Sequence, residues 1–118
     1  MGVSNYDKEA GTKKYEMEYT LDTAEGVEKL LEDTHKIRSR ALERGDMAAI
    51  DLLVDLESTI EIAPLTDKQR RAITLYYEND LSQEETAKRM GCDTSTVSRH
   101  RKAALKHITK VYKDWNYN

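Results

Sequence analysis

The stretch "LSQEETAKRMGCDTSTVSRHRKAALKHI", residues 81 to 108, decides the fold because it reads as two short helices that meet at one glycine. Ser82 begins a capping-box pattern at the start of the first helix. Gly91 can adopt the left-handed conformation that ends a helix, and Asp93 or Thr94 can cap the second one. The stretch therefore predicts a helix-turn-helix unit.

Three residues of this stretch stand at the positions where the packing of a helix-turn-helix requires a particular type of residue. Two helices that cross steeply need a small residue at the crossing, here Ala87, and a turn residue that tolerates positive φ, here Gly91. The second helix must also bury one branched apolar side chain against the first, which Val97 supplies. Together with Met90, these residues form the predicted core of the helix-turn-helix, which leaves the second helix exposed enough to enter a major groove.

The outward side of the second helix is rich in hydroxyl groups and positive charge. Hydroxyls can donate or accept hydrogen bonds, and an arginine can form two hydrogen bonds with one guanine. We therefore predict that DNA bases are read by Thr94, Ser95, Ser98 and Arg99. Phosphate contacts, which fix the register without reading sequence, are predicted for Ser82, Thr96, His100, Arg101, Lys102 and Lys106. The alternative interpretation is a helix cap followed by a solvated basic face.

The charge of the chain is divided between its two halves. Residues 1–64 contain 8 Lys or Arg against 15 Asp or Glu, whereas residues 65–118 contain 11 against 7. The net charge of −3 thus hides an acidic half and a basic half. From residue 97 to residue 113 there are six basic residues and no acidic one, which favours an anionic partner such as double-stranded DNA.

The remainder of the chain predicts an all-α fold of about five helices. Residues 1–20 are expected to form a flexible N-terminal arm, residues 21–63 an acidic pair of helices, and residues 64–118 the helix-turn-helix domain. The first acidic helix is predicted from Thr23 to Gly45 with a capping box of Asp22 and Glu25, and the second begins after Asp46 and ends before Pro64. Thr66 with Gln69 predicts a further capping box.

The acidic helices have two interpretations that the sequence leaves open. They are a packing scaffold for the helix-turn-helix, or an interaction surface for a transcription partner or for a homodimer formed through residues 23–63. The apolar face of Ile50, Leu53 and Val54 would carry self-association.

Several kinds of site are not expected. No run of residues approaches the ~20 apolar positions of a membrane span, and the single cysteine, Cys92, suits a reducing cytoplasm. His100 and His107 are two helical turns apart, about 10.5 Å, which is too far to share a metal ion. The sequence shows no nucleophile arrangement and no phosphate-cradling loop, so we expect no enzyme activity, cofactor, metal or small-molecule substrate.

Residues 65–108 resemble region 4 of bacterial sigma factors, and resemble even more closely the short sigma-like regulators of phages and prophages of Gram-positive bacteria. The matching pieces are "LTDKQR", "LSQEETAKRMG" and "TVSRHRKAALKHI". The resemblance implies docking on a −35 promoter element, contact with the β flap of RNA polymerase, and a bacterial cytoplasmic location. It implies that Thr94, Ser95, Ser98 and Arg99 face the bases.

The chain departs from that family in ways that matter. Thr86 stands where Ile or Val is usual, and Arg101 stands where an aliphatic residue is common. Residues 1–64 contain nothing like the aromatic-rich helix that melts a −10 element, so a complete sigma factor is not expected. We therefore expect a sigma-like transcription regulator. The alternatives are a promoter-occluding repressor, a DNA-packaging subunit of the small terminase type, and a helix-turn-helix that binds only protein.

Overall fold

The computed structural model describes residues 19–115, which contain six α-helices and no strand. The all-α prediction is confirmed. The predicted N-terminal arm, residues 1–20, lies outside the described residues except for its last two. The helices are α1 (Ala24–Glu32), α2 (Thr34–Arg44), α3 (Met47–Ile62), α4 (Asp67–Ile73), α5 (Gln83–Met90) and α6 (Thr94–Asp114), and a π-helical turn (Thr74–Glu78) continues α4.

The first acidic helix differs from its prediction at two points. Its N-terminal cap is Thr23, not Asp22, because the Thr23 hydroxyl accepts the Gly26 N–H at 3.0 Å. It is also divided into α1 and α2 at Asp33, whose carboxylate accepts the hydroxyl of Tyr19 at 3.0 Å. The next hydroxyl, of Thr34, donates to the backbone oxygen of residue 31 at 2.8 Å, and such local bonds compete with a continuous helix.

The remaining helix boundaries follow the predicted caps. Gly45 ends α2 in the left-handed conformation with φ 61°, and the Asp46 carboxylate accepts the Ala49 N–H at 3.1 Å to begin α3. Thr66 and Gln69 form both bonds of a capping box, each at 3.1 Å. The cap at Asp46 and the capping box of Thr66 and Gln69 are confirmed by hydrogen bonds between residues three apart, and the end at Gly45 is confirmed by its positive φ.

One cluster of buried side chains includes residues from both ends of the described chain. Tyr19 and Leu21 belong to it, as do Ile108 and Tyr112 of α6, all exposed by 2% or less. Helices α1 and α3 both pack on α6 through this cluster. The acidic region and the helix-turn-helix domain, divided at residues 63 and 64, both contribute side chains to this core. Their division into two domains stays a prediction. No helix in residues 19–115 combines the length and apolar character needed to cross a membrane.

Candidate nucleic-acid interface

Helices α5 and α6 meet at a turn built around one glycine. The Ser82 hydroxyl accepts the Glu85 N–H at 3.1 Å to begin α5, and Gly91 ends it with φ 67°. Ala87 and Val97, at the crossing, are 5% and 0% exposed. Met90, the fourth predicted core residue, is half-buried. The turn therefore fixes α6 across α5 in a helix-turn-helix arrangement.

The outward face of α6 carries one row of exposed polar and basic side chains. Ser95, Arg99, Lys102 and Lys106 are spaced by four, three and four residues, so they lie on one side of the helix. Val97 lies on the opposite side and is fully buried. This side has a length of about 17 Å between its first and last members, from the helical rise per residue. Such a row can contact both base edges and backbone within a major groove.

The remaining predicted contact residues lie at the beginning and flanks of this face. Thr94 is exposed at the first position of α6, whereas Thr96, Ser98 and His100 are half-buried at its sides. Ser82, at the beginning of α5, is exposed. The structure thus brings every predicted base-reading residue to the first two turns of α6.

The first turn of α6 is organised by Asp93. Its carboxylate accepts the Thr96 N–H at 2.8 Å, which identifies Asp93 rather than Thr94 as the cap. The Ser95 hydroxyl also donates to Asp93, at 3.1 Å, and Arg99 donates to the Thr96 hydroxyl at 3.3 Å. Hydrogen bonds from Thr96, and then from Ser95, hold the pKa of Asp93 below its ordinary value. Two of the predicted contact residues are therefore already oriented by the cap.

The far end of α6 lies beside the acidic start of α1. Lys106, Lys110 and Lys113 line one surface depression together with Asp22 and Glu25. Carboxylates this close to a row of lysines lower the positive potential that those lysines present to DNA. The part of α6 around Arg99 and Lys102 is consequently more favourable for an anionic partner, and the surface depression there is lined by Ala24 of α1 and by no carboxylate.

Arg101 lies on a different side of α6 from the outward row. Its position falls on the inward side with Val97, and its side chain is only 12% exposed. One guanidinium nitrogen, Nη1, lies 3.3 Å from Oε2 of Glu28 and 3.3 Å from the hydroxyl of Tyr77. The guanidinium carbon lies 4.1 Å from the centre of the Tyr76 ring. This placement does not favour the predicted phosphate contact of Arg101, because its guanidinium is directed toward Glu28 and Tyr77.

Four residues are here called the Arg101 cluster: hydrogen bonds join Glu28, Tyr77 and Arg101, and the ring of Tyr76 lies against the guanidinium. The Tyr77 hydroxyl donates to Oε2 of Glu28 at 2.8 Å. Burial raises the pKa of Tyr77, so its phenol stays neutral and able to donate. Burial alone lowers the pKa of Arg101, but the hydrogen bond to Tyr77 and the nearby charges outweigh it and leave that pKa raised. Arg101 therefore stays protonated, and the carboxylate of Glu28 balances its charge within the cluster.

Sequence reasoning missed Glu28 altogether. The 4-3 spacing of positions 97, 101, 104 and 108 did indicate that Arg101 interrupts an apolar stripe. Nothing in that spacing identifies a partner 73 residues earlier in the chain. Within residues 19–115, no group of three or more His, Cys, Asp or Glu side chains is arranged to hold a metal ion.

Comparison with known proteins finds a family that is similar to the helix-turn-helix part of the chain. Residues 61–108 match the family model described as Sigma-70, region 4. No curated protein and no solved structure matches the chain. The matched residues include α4, α5 and the first fifteen residues of α6, whereas Glu28 lies outside them. Over these residues the chain is similar to a family of helix-turn-helix domains, which suggests DNA-binding transcription regulation.

Proposed function

We propose that this protein is a transcription regulator of the phage sigma-like type that binds double-stranded DNA in a sequence-specific manner. The proposal proceeds from the sigma-70 region 4-like helix-turn-helix domain of residues 61–108. The protein inserts α6 into the major groove of a promoter element in the bacterial cytoplasm and acts together with RNA polymerase. The observation that carries the proposal is the exposed row of Ser95, Arg99, Lys102 and Lys106 on the side of α6 opposite the buried Val97.

The proposed roles follow from where the side chains lie. Thr94, Ser95, Ser98 and Arg99 read base edges, since they occupy the two turns of α6 that come first in the chain. Phosphates are contacted by Ser82, Thr96, His100, Lys102 and Lys106, which surround those turns. Arg101 is omitted from the proposed interface because Glu28 and Tyr77 hold its guanidinium. RNA polymerase, through its β flap, is proposed as a partner on the family resemblance.

The first experiment selects binding sites from random double-stranded DNA with the full chain. We expect one enriched motif. In titrations against that motif and its single-base changes, Arg99→Ala should lose about 1–3 kcal/mol of discrimination at one base pair. Lys106→Ala should weaken all sequences alike and reduce the salt slope by about 1.

A matched control and two contrary outcomes complete this test. Lys36→Ala removes the same charge from the exposed side of α2, away from α6, and should leave binding unchanged. If Arg99→Ala weakens all sequences equally, Arg99 is a phosphate contact and not a base reader. If no motif is enriched, sequence-specific recognition by the protein alone is excluded.

We further propose that the protein self-associates through the solvent side of α3. Met47, Ile50 and Val54 are 48%, 36% and 53% exposed and lie on one side of that helix. Leu53, which the sequence placed on the same face, packs instead against the core. Glu57 continues the exposed side toward the C-terminal end of α3. An antiparallel pair of α3 helices brings this acidic end close to the partner's α2–α3 turn, where α2 ends on an exposed arginine.

Sedimentation equilibrium tests this dimer, with Val54→Lys as the variant that places a charge in the centre of the apolar side. We expect the wild type to dimerise and Val54→Lys to remain monomeric at the same concentration. A dimer would select a palindromic DNA motif, because two recognition helices then bind half-sites about one helical turn apart. Ring assemblies would instead favour the DNA-packaging alternative, and tight promoter binding that blocks transcription without polymerase contact would favour the repressor.

A further inference from the structure

Helix α6 carries a half-buried cation whose carboxylate partner lies outside the matched residues. The side chain of Arg101 is 12% exposed, and the carboxylate that pairs with it belongs to Glu28 of α1. Glu28 lies outside residues 61–108. A half-buried charge that loses its partner is unfavourable, so α6 depends on α1 for the neutralisation of Arg101.

The Arg101 cluster is not the arrangement that best stabilises a core. The Nε atom of Arg101 is buried and has no hydrogen-bond partner, which carries a desolvation penalty. Apolar side chains of similar volume often replace a buried ion pair without loss of stability. Burial of apolar surface therefore does not explain why this position on the inward side of α6 holds an arginine.

The Arg101 cluster differs from apolar packing because its hydrogen bonds are directional. Hydrogen bonds restrict the angle as well as the distance between groups, whereas apolar contacts restrict mainly the distance. Oε2 of Glu28 accepts from both Tyr77 and Arg101, and the guanidinium is also held over the Tyr76 ring, so α1 and the π-helical turn together fix one group on α6. That group lies two residues after Arg99, within the same helical turn. Any rotation of α6 that turns Arg99 away from the groove must also break these contacts.

We propose that Glu28 is a positioning residue for DNA reading, which sets the rotation of α6 through Arg101 and thereby determines sequence discrimination. The inference rests on the proposed function. Both groups of this interaction belong to the same chain. The carboxylate of Glu28, in the acidic region, orients α6 of the basic domain. Discrimination between DNA sequences then depends on a residue that lies outside the helix-turn-helix and contacts no DNA.

The test separates positioning from stability by means of two variants of the full chain. Glu28→Gln retains an acceptor for Tyr77 but removes the charge, and the double variant Glu28→Leu with Arg101→Met replaces the pair with apolar side chains. For each we would measure the melting temperature and the ratio of Kd values for scrambled DNA and the selected site. Glu32→Gln, which changes an exposed carboxylate at the end of the same helix, is the control of equal charge change.

We expect Glu28→Gln to lower both the melting temperature and the Kd ratio, the latter by about fivefold or more. The double variant should recover the melting temperature while its Kd ratio stays low, and Glu32→Gln should change neither. If the double variant recovers both quantities, or if Glu28→Gln leaves the ratio unchanged well below its melting temperature, the pair is structural and the inference is overturned. A wild type without sequence preference would overturn the proposed function and this inference together.

Discussion

Replacement of Gly26 by alanine is expected to destabilise the protein, although it lies in a helix where alanine is normally favoured. Intrinsic helix propensity alone assigns the change a gain of about 1 kcal/mol. Gly26, in the first turn of α1, is however covered by the chain that enters the helix. A Cβ atom at this position would overlap the backbone carbonyl oxygens of Tyr19 and Thr20. Backbone cannot move aside as a flexible side chain can.

The size of the effect follows from what must move. Relief of the overlap requires displacement of the segment from Tyr19 to Leu21, and these two side chains are 2% and 1% exposed in the core. Burial of such a side chain contributes about 1.5–3 kcal/mol, so loss of both corresponds to about 3–6 kcal/mol. After subtraction of the propensity gain, the net change is about 2–5 kcal/mol of lost stability.

Urea denaturation followed by circular dichroism measures this change as a lower midpoint at unchanged slope. Gly91→Ala is the comparison variant. Gly91 has φ 67°, but no atom lies within 4 Å of an added Cβ, so its loss is limited to the left-handed conformation, about 1–2 kcal/mol. Gly26→Ala must therefore be the more damaging of the two. A Gly26→Ala protein as stable as wild type would refute the reasoning, because it would show that the entering segment moves without loss of core burial.

Three further predictions concern the helix-turn-helix. Val97 is fully buried, so Val97→Ala should lower the free energy of unfolding by about 2–3 kcal/mol through lost burial and a residual cavity. The same urea denaturation measures this change, and a value below about 0.5 kcal/mol would mean that α6 does not pack against α5 through Val97. Ser82→Ala removes the cap that accepts the Glu85 N–H and should lower that free energy by about 1 kcal/mol, whereas Ser39→Ala on the exposed side of α2 should leave it nearly unchanged. Because the folded-state pKa of Asp93 is below its unfolded value of about 3.9, its contribution to stability is fully present above that value and is lost as pH falls through the lower folded pKa. The melting temperature of Asp93→Asn should accordingly fall less steeply than that of wild type as the pH is lowered below about 4, and parallel profiles would contradict the assignment of the cap.

The features that the sequence predicted correctly are those set by neighbours within one helical turn. The caps at Asp46, Thr66 and Ser82 each join a side chain to a backbone N–H three residues later. Gly91 and the helix-turn-helix also follow from short spacings. The sequence could likewise indicate which side of α6 faces outward, since helical periodicity alone determines it.

The features that the sequence did not predict depend on residues distant in the chain. The break at Asp33 involves the Tyr19 hydroxyl, fourteen residues earlier, and the inward direction of Arg101 involves Glu28, 73 residues earlier. A basic residue in a basic helix gives no local signal that its partner is internal. The base-reading and phosphate-contacting assignments stay predictions, because the structure shows which side chains are presented but not what they bind.

The shared core has a consequence for the order in which the protein folds during synthesis. Tyr19 and Leu21 are among the first described residues to leave the ribosome, yet the cluster that buries them includes Ile108 and Tyr112. At about 5–20 residues per second, α1 is exposed for several seconds before α6 has been made. During that interval its apolar side chains are open to chaperones and to other nascent chains. The final collapse should therefore be a late, long-range event, and a ribosome stalled before α6 should display α1 in a protease-sensitive form.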